Sequence, residues 1–185
     1  MITRIIHANV VCTDLHRSLR FYRDLLGGRV VGSRRNSSEK RTDAERGRVR
    51  ERRTTESEVV GQALGFGETA EWYGCFIYFG EDERGTVIDL LQWIRPASTG
   101  KPYDKLNNVG IPRIALAVDD IDQTYSYLKA EGVEFITPPQ LIQLLGPGVL
   151  PIEGTGERPV DNVNNLKIAV CKDPDGTAIE LVQQL

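Results

Sequence analysis

The sequence has little of several features that would mark particular classes of protein. Its net charge is only −3 at pH 7, so bulk electrostatics favour neither nucleic acid nor a membrane surface as a partner. No apolar run approaches the roughly 18 residues that span a bilayer. The three cysteines, Cys12, Cys75 and Cys171, are far apart and form no Cys-x-x-Cys pair, which argues against disulfides and thiolate zinc sites. We therefore expect a protein of the reducing cytoplasm that packs its cysteines as small apolar residues.

The composition is typical of a folded domain. Hydrophobic residues make up 40% of the 185 residues and charged residues 26%. This length is enough for one substantial domain and too short for two independent ones. The sequence therefore predicts one domain.

An internal repeat organises the chain. Residues 76–93, "FIYFGEDERGTVIDLLQW", align without a gap with residues 167–184, "KIAVCKDPDGTAIELVQQ", and seven of the 18 positions are identical. Both segments indicate a strand, a turn built on Asp and Gly, and a second strand. Asp89 and Glu180 occupy equivalent positions, so the repeat predicts equivalent places for these two carboxylates.

A second repeated segment precedes each strand pair. Residues 7–22 and 113–128 both indicate a strand followed by a helix whose apolar residues keep an i, i+4, i+7 spacing. Asp14 and Asp120 are the predicted N-caps of these helices. Glycines follow the helices where C-terminal caps belong: Gly28 and Gly132. With one more strand predicted after each helix, each half of the chain is a βαβββ module.

The repeats also predict the domain organisation. Module 1 covers about residues 1–96 and includes a charged insertion at about 34–60; a polar linker covers 97–108, and module 2 covers about 109–185. One module cannot cover both faces of its small sheet. We therefore expect an α+β fold in which two tandem modules pair into one domain, residues 1–185, with a shared concave cleft.

Two long segments interrupt the repeat. Residues 34–53 carry nine Arg or Lys against four Asp or Glu and almost no large apolar residue, so they cannot be core. They are either a solvated loop or a basic arm that attracts an anionic ligand or partner. Residues 138–165 hold five of the nine prolines, and residues 141–150 are apolar enough for a lid or an interface. This apolar stretch favours a homodimer.

Strand alternation places several polar residues on one face of each predicted sheet. His7 and Asn9 share a face of the first strand, and Arg113 is the repeat mate of His7. Asp89 and Glu180 lie opposite the aliphatic residues that are expected to pack against the helices: Ile88, Leu90, Ile179 and Leu181. His7, Asp89, Arg113 and Glu180 are therefore predicted to face the concave cleft, and Tyr78 and Trp93 to line it with Asn9 as substrate-binding residues.

These features together resemble the vicinal oxygen chelate superfamily. The motifs are the duplicated βαβββ pattern, "DPDGTAIELVQ" at residues 173–183, "AVDDID" at residues 117–122, and the early strand residue His7. The superfamily includes glyoxalase I, extradiol dioxygenases, methylmalonyl-CoA epimerase, and fosfomycin and bleomycin resistance proteins. The resemblance covers nearly the whole chain except residues 34–60 and implies a small-molecule substrate rather than a particular reaction.

The resemblance also implies one divalent metal ion, such as iron, manganese, nickel or zinc, held by His7, Asp89 and Glu180. The remaining ligand position, usually His, is Arg113 in this chain. A guanidinium stays protonated, cannot donate a lone pair to a metal, and repels a cation. The cleft therefore either binds a metal with Arg113 turned aside, or contains no metal and uses Arg113 in an ion pair or as an anion anchor.

Three roles remain open for these residues. In an enzyme of the lyase, isomerase or dioxygenase type, His7 or Glu180 is the general base and Arg113 or a metal stabilises the developing oxyanion. In a binding protein of the antibiotic-resistance kind, the same cleft sequesters a ligand without chemistry. In the third alternative the polar residues only stabilise the fold.

Overall fold

The computed structural model describes residues 1–30, 55–81, 85–143 and 165–185. Within them the chain forms two compact units, Met1–Gly100 and Lys101–Leu185. The division falls inside residues 97–108, the predicted linker. None of the helices in these ranges is long and apolar enough to cross a membrane. Each unit is described by itself below, and the pairing of the two modules into one domain stays a prediction.

The first unit contains one mixed sheet. Its elements in chain order are β1 (His7–Val11), α1 (Leu15–Leu19) continued by a π-helical segment (Arg20–Leu25), β2 (Arg29–Val30), β3 (Thr55–Ser57), α2 (Glu58–Ala63), β4 (Ala70–Tyr78) and β5 (Val87–Arg95). The strand order is β1-β5-β4-β2, and β3 also pairs with β4. β1 runs parallel to β5, whereas β4 is antiparallel to its partners β2, β3 and β5.

The second unit repeats this arrangement. Its elements are β6 (Arg113–Ala117), α3 (Ile121–Ala130), β7 (Phe135–Gln143), β8 (Asn165–Lys172) and β9 (Ala178–Gln184). The strand order is β6-β9-β8-β7, with β6 parallel to β9 and the other pairs antiparallel. The predicted α+β class with two βαβββ modules is confirmed.

Strand register shows that the parallel pairs β1–β5 and β6–β9 are equivalent residue by residue. Asn9 pairs with Asp89 in the first sheet, and Ala115 pairs with Glu180 in the second. These are the positions that the two sequence alignments made equivalent. The first unit differs by its additional β3 and α2. Residues 55–60, predicted as the end of a charged insertion, form β3 and begin α2, whereas residues 31–54 lie outside the described part of the chain.

The helices begin as the sequence predicts. The Asp14 side chain accepts hydrogen bonds from the backbone N–H groups of His16 and Arg17, and Asp120 accepts one from Gln123. A second acceptor at each helix start comes from the sheet. The side-chain oxygen of Gln92 accepts from the Leu15 N–H at 2.9 Å, and that of Gln183 accepts from the Ile121 N–H at 3.1 Å. Each helix is therefore tied at its N-terminus to the strand that carries a predicted site carboxylate.

The helix ends confirm one predicted cap and correct the other. Gly132 has a φ of 84° and follows α3 as predicted, and the Val133 N–H bonds back to the Leu128 carbonyl. After the first helix the left-handed residue is Gly27, with a φ of 75°, so the prediction of Gly28 as the cap was wrong. Gly28 is buried, and a Cβ there would lie 2.5 Å from the Ile77 Cγ2 atom, so a close approach explains this glycine.

The edge strand β7 corrects a second prediction. Residues 138–143, assigned to a long connection, belong to this strand, and residues 144–164 lie outside the described residues. Pro138 and Pro139 fall within the second of two shifts in the register of β7 against β8, between Thr137 and Gln140. Proline has no N–H for the ladder and is tolerated at edges and bulges, where a sequence pattern alone suggests a loop. The predicted lid or interface at residues 141–150 is described only up to Gln143, within this strand.

The cores follow the alternation that the repeat predicts. Side chains on one face of each sheet are almost fully buried: Ile88, Leu90, Ile179 and Leu181. The helices contribute Leu15, Leu19 and Tyr22 in the first unit and Ile121 and Leu128 in the second, all buried. Cys12 and Cys171 are buried free thiols and Cys75 is half-buried. Burial raises the pKa of Cys75 to about 11 and that of Cys171 to about 12, so both thiols stay protonated at neutral pH.

Candidate functional site

Three polar side chains lie together on the face of the first sheet opposite the helix, and we call them the first half-site: His7, Asn9 and Asp89. Parallel pairing of β1 with β5 places Asn9 beside Asp89, and the Asn9 Nδ2 atom donates to Asp89 Oδ2 at 3.3 Å. His7 precedes Asn9 on the same face, and its charge acts on the Asp89 carboxyl. The structure therefore brings together the three residues that the sequence assigned to this sheet.

Opposing effects set the protonation of Asp89. Partial burial raises the pKa of this carboxyl above its ordinary value. The hydrogen bond from Asn9 lowers the pKa, as does the nearby His7, but burial outweighs both. Asn9 was predicted as a substrate-binding residue, and its observed contact is with Asp89. Its amide therefore has an orienting contact with the carboxylate.

The second half-site is the ion pair of Arg113 and Glu180. The Arg113 Nε atom donates to Glu180 Oε2 at 2.7 Å. The side chain of Glu180 is only 13% exposed, whereas that of Arg113 is 42% exposed. Arg113 corresponds to His7 and Glu180 to Asp89 in the equivalent sheets, so a guanidinium here reaches the carboxylate of the neighbouring strand. The guanidinium uses its Nε–H for this bond, which leaves its terminal N–H groups for another acceptor.

The residues fit poorly with the metal ion that the sequence resemblance implies. The ranges that the structure describes contain no group of three or more His, Cys, Asp or Glu side chains able to hold a metal. Of the predicted ligands, Glu180 is bound by a guanidinium. A divalent ion about 4 Å from that charge is repelled by about 8 kcal/mol at an effective dielectric near 20. The Arg113 guanidinium therefore disfavours a divalent cation at the second half-site while it stays paired with Glu180.

The two predicted aromatic residues lie in different surroundings within the first unit. Trp93 packs against Trp72 and Phe66, with ring centroids 5.5 and 5.1 Å away. Tyr78 lies under the Arg29 guanidinium, 4.3 Å from the ring centroid. β4 and β5 carry both aromatic groups on the face of the first half-site, at opposite ends of the strands.

Sequence reasoning missed two residues on the same sheet face as the first half-site. Phe76 pairs with Asp89 across the sheet, is 44% exposed, and has its ring centroid 6.1 Å from that of His7. Arg29 pairs with Tyr78 at the edge of the same sheet. The repeat gives no signal for either, since Phe76 is aligned with Lys167 and Arg29 lies outside the aligned segments. Only the strand register identifies them.

Solved structures share this fold. The match to a glyoxalase family protein from Bacillus cereus covers 100% of this chain and 96% of that protein's chain, with a TM-score of 0.65 and 17% identity. The trypanothione-dependent glyoxalase I of Leishmania major covers 99% of this chain and 88% of its own, with a TM-score of 0.53 and 18% identity. At these identities the similarity establishes the fold and not the activity.

Sequence comparison extends the similarity. A protein of Vibrio cholerae named probable lactoylglutathione lyase is 28% identical over 180 residues, which is 97% of this chain and 90% of the relative. A protein of Vibrio parahaemolyticus with the same name is 27% identical over 182 residues. The family model for the glyoxalase/bleomycin resistance protein/dioxygenase superfamily matches residues 4–142. The chain therefore belongs to the glyoxalase/bleomycin resistance protein/dioxygenase superfamily.

Proposed function

We propose that the protein acts on a small, anionic, oxygen-rich organic molecule, by lyase or isomerase chemistry, with Arg113 as the anion anchor. The observation that carries this proposal is the Arg113–Glu180 ion pair at a position where the family resemblance implies a metal ligand. A guanidinium binds carboxylates and other oxyanions through parallel N–H donors. The Vibrio relatives named probable lactoylglutathione lyase support the lyase class.

The ion pair prepares Arg113 for this role. Glu180 fixes the guanidinium through its Nε–H, so less side-chain freedom is lost when a ligand binds to the terminal nitrogens. The 42% exposure of Arg113 leaves it accessible, while the mostly buried Glu180 is held behind it. In this proposal the terminal N–H groups of Arg113 stabilise a substrate carboxylate or a developing oxyanion.

The two half-sites serve one ligand in this proposal, as the sequence resemblance implies. His7 is the general base, because an exposed imidazole can accept a proton from a carbon or hydroxyl next to a carbonyl group. Glu180 is the second candidate base, although its Oε2 atom already accepts a hydrogen bond from Arg113. Asn9 orients Asp89, while Tyr78 and Trp93 contact the apolar part of the ligand. A homodimer in the cytoplasm stays a prediction from the sequence.

A thermal-shift screen tests the anion anchor. Each 2-hydroxy acid, 2-oxo acid and aromatic acid is compared with its uncharged amide, and thioesters are included. We expect some acids to raise the melting temperature more than their amides, and Arg113→Gln to abolish that difference. Arg95→Gln is the matched control, since Arg95 forms a 2.8 Å ion pair with Glu71 of similar exposure in the first unit. Equal shifts for acids and amides in the unsubstituted protein would sink the proposal.

A metal-dependent enzyme is the second candidate, and the closeness of His7 and Asp89 favours it. Its ligands are His7, Asp89 and Glu180, a set that suits iron, manganese and similar ions with open positions. Elemental analysis after loading with each metal tests it. A stoichiometric metal that is lost in His7→Ala supports the metalloenzyme, and no retained metal under any loading condition excludes it. Arg113→His is the gain-of-ligand variant, expected to bind metal more tightly than the unsubstituted protein.

Ligand sequestration without catalysis is the third candidate. The Trp72–Trp93–Phe66 cluster favours it, because large aromatic surfaces supply binding energy without any reactive group. Acids that stabilise the protein are incubated with it, and their consumption is followed by NMR. Turnover that His7→Ala removes, with ligand affinity retained, supports the enzyme. Tight binding with no turnover in either protein supports sequestration.

A further inference from the structure

Arg29 is a half-buried cation without a carboxylate partner among the described residues. Its guanidinium lies over the Tyr78 ring, 4.3 Å from the centroid, and its Nη2 atom donates to the Gly80 carbonyl. The ion pairs of the described chain involve other cations. Of these described contacts, a ring face and one carbonyl hold the group in place but do not neutralise it. Within the described ranges, the remaining N–H groups of the fork have no charged acceptor.

The strand registers place Arg29 on the face of the first half-site. Arg29 pairs with Tyr78 and stacks on it, so both side chains lie on the same face. Phe76, two residues before Tyr78 on β4, lies on that face too and pairs with Asp89. His7 and Arg29 are on the two outer strands of the order β1-β5-β4-β2, three strand spacings apart. Their Cα atoms are therefore about 14 Å apart.

Aromatic rings occupy the space between these two ends. The Phe76 ring is 6.1 Å from that of His7, and the Tyr78 ring lies beneath the Arg29 guanidinium. Phe76 is 44% exposed, so its ring is accessible to a ligand beside these polar groups. The first sheet therefore presents a polar end at His7, Asn9 and Asp89, an apolar middle, and a cationic end at Arg29.

We propose that Arg29 is a second anion-binding residue, which takes a carboxylate or phosphate at the far end of an elongated ligand whose apolar body lies on Phe76 and Tyr78. This inference rests on the proposed function for the class of ligand and adds its shape. The anionic group at Arg29 is remote from the reacting centre and serves binding. A ligand with this tail gains affinity from the guanidinium only if its chain spans the aromatic middle.

Binding of 4-phenylbutanoate and its uncharged amide, measured by NMR titration, tests the inference. We expect the acid to bind more tightly than the amide. Arg29→Gln should weaken the binding of the acid about tenfold and that of the amide less than about twofold, as for loss of one charge-assisted hydrogen-bonded pair. Phe76→Ala should weaken both probes equally, since it removes the apolar contact alone. Lys129→Gln is the control, because Lys129 also lies over a tyrosine ring, Tyr125, at 5.2 Å, but on a helix of the other unit.

The same titrations with Arg113→Gln separate this inference from the proposed function. If Arg113→Gln removes the preference for the acid and Arg29→Gln does not, the Arg29 site is wrong and the Arg113 anchor stands. If only Arg29→Gln removes it, the Arg29 site stands without the Arg113 anchor. Equal binding of acid and amide to the unsubstituted protein overturns the Arg29 site. A lower melting temperature in Arg29→Gln with an unchanged acid-to-amide ratio shows a structural role instead and also overturns it.

Discussion

Removing Arg113 should destabilise the second unit by an amount that the geometry of its ion pair sets. Arg113→Leu leaves the Glu180 carboxylate, 13% exposed, without the guanidinium that lies 2.7 Å away. Breaking a fully buried pair costs about 3–5 kcal/mol, and breaking an exposed one costs about 0–1 kcal/mol. Because Arg113 is 42% exposed and solvent screens its charge, we expect a loss of about 1–2 kcal/mol in the free energy of unfolding.

Urea unfolding of a double-mutant cycle measures this interaction. The cycle comprises Arg113→Leu, Glu180→Gln and the double variant, each unfolded at low salt and in about 1 M salt, where the Debye length falls to about 3 Å. We expect Glu180→Gln to cost less than Arg113→Leu, because a glutamine oxygen still accepts from the Nε–H and no buried charge is left. Arg95→Leu is the comparison for a pair with a more exposed cation. A coupling energy near zero, or an Arg113→Leu loss no larger than that of Arg95→Leu, would refute the reasoning.

Three further predictions concern the groups around the two sites. Burial raises the pKa of Asp89, so the free energy of unfolding falls as pH rises from 3.8 toward the folded pKa. Chemical unfolding should show Asp89→Asn gaining stability relative to the unsubstituted protein over that pH range. A stability difference that does not change with pH would contradict this. Gln92→Leu and Gln183→Leu should each lower the free energy of unfolding by about 1 kcal/mol, because each removes the acceptor at the start of a different helix. In the double variant the two losses should add to within about 0.5 kcal/mol. Strong non-additivity in urea unfolding would count against separate roles. Gly28→Ala should lower the free energy of unfolding by about 1–3 kcal/mol, because the added Cβ overpacks against Ile77. Gly27→Ala has open space around its Cβ and should cost about 1 kcal/mol for its left-handed backbone. A lower melting temperature for Gly27→Ala than for Gly28→Ala would show that space does not limit residue 28.

Most strands and helices could be predicted from the sequence because the two halves of the chain can be aligned with each other. A duplicated module contains two copies of each strand pattern, so each copy supports the assignment of the other. The aligned positions Asp89 and Glu180 have equivalent registers against the first strand of their sheets. Local chemistry was also sufficient for the helix starts, since an Asp before an apolar-periodic segment has a defined role there. The identity of Gln92 and Gln183 in the repeat also indicated a shared role. Only the structure shows that role, which is to accept a hydrogen bond from the first backbone N–H of each helix.

The remainder depends on contacts that no local pattern contains. Arg29 and Tyr78 meet because β2 pairs with β4 across a sequence separation that includes the whole charged segment. The displaced cap at Gly27 follows from a wider π-helical turn, in which the Leu26 N–H bonds to the Phe21 carbonyl five residues earlier. The end of the helix could therefore be predicted only to within a residue or two.

The two half-sites occupy equivalent strand positions but differ in charge, and this difference is where function should be sought. The first half-site holds a carboxyl group whose hydrogen-bond partner, Asn9, is uncharged. The second holds a carboxylate that Arg113 neutralises. A carboxylate without a cationic partner attracts a metal ion, whereas a carboxylate compensated by a guanidinium leaves that group able to attract an anion. The change from an imidazole at His7 to a guanidinium at Arg113 removes negative potential at one of two equivalent positions. Such a change favours the binding of an oxyanion over that of a cation.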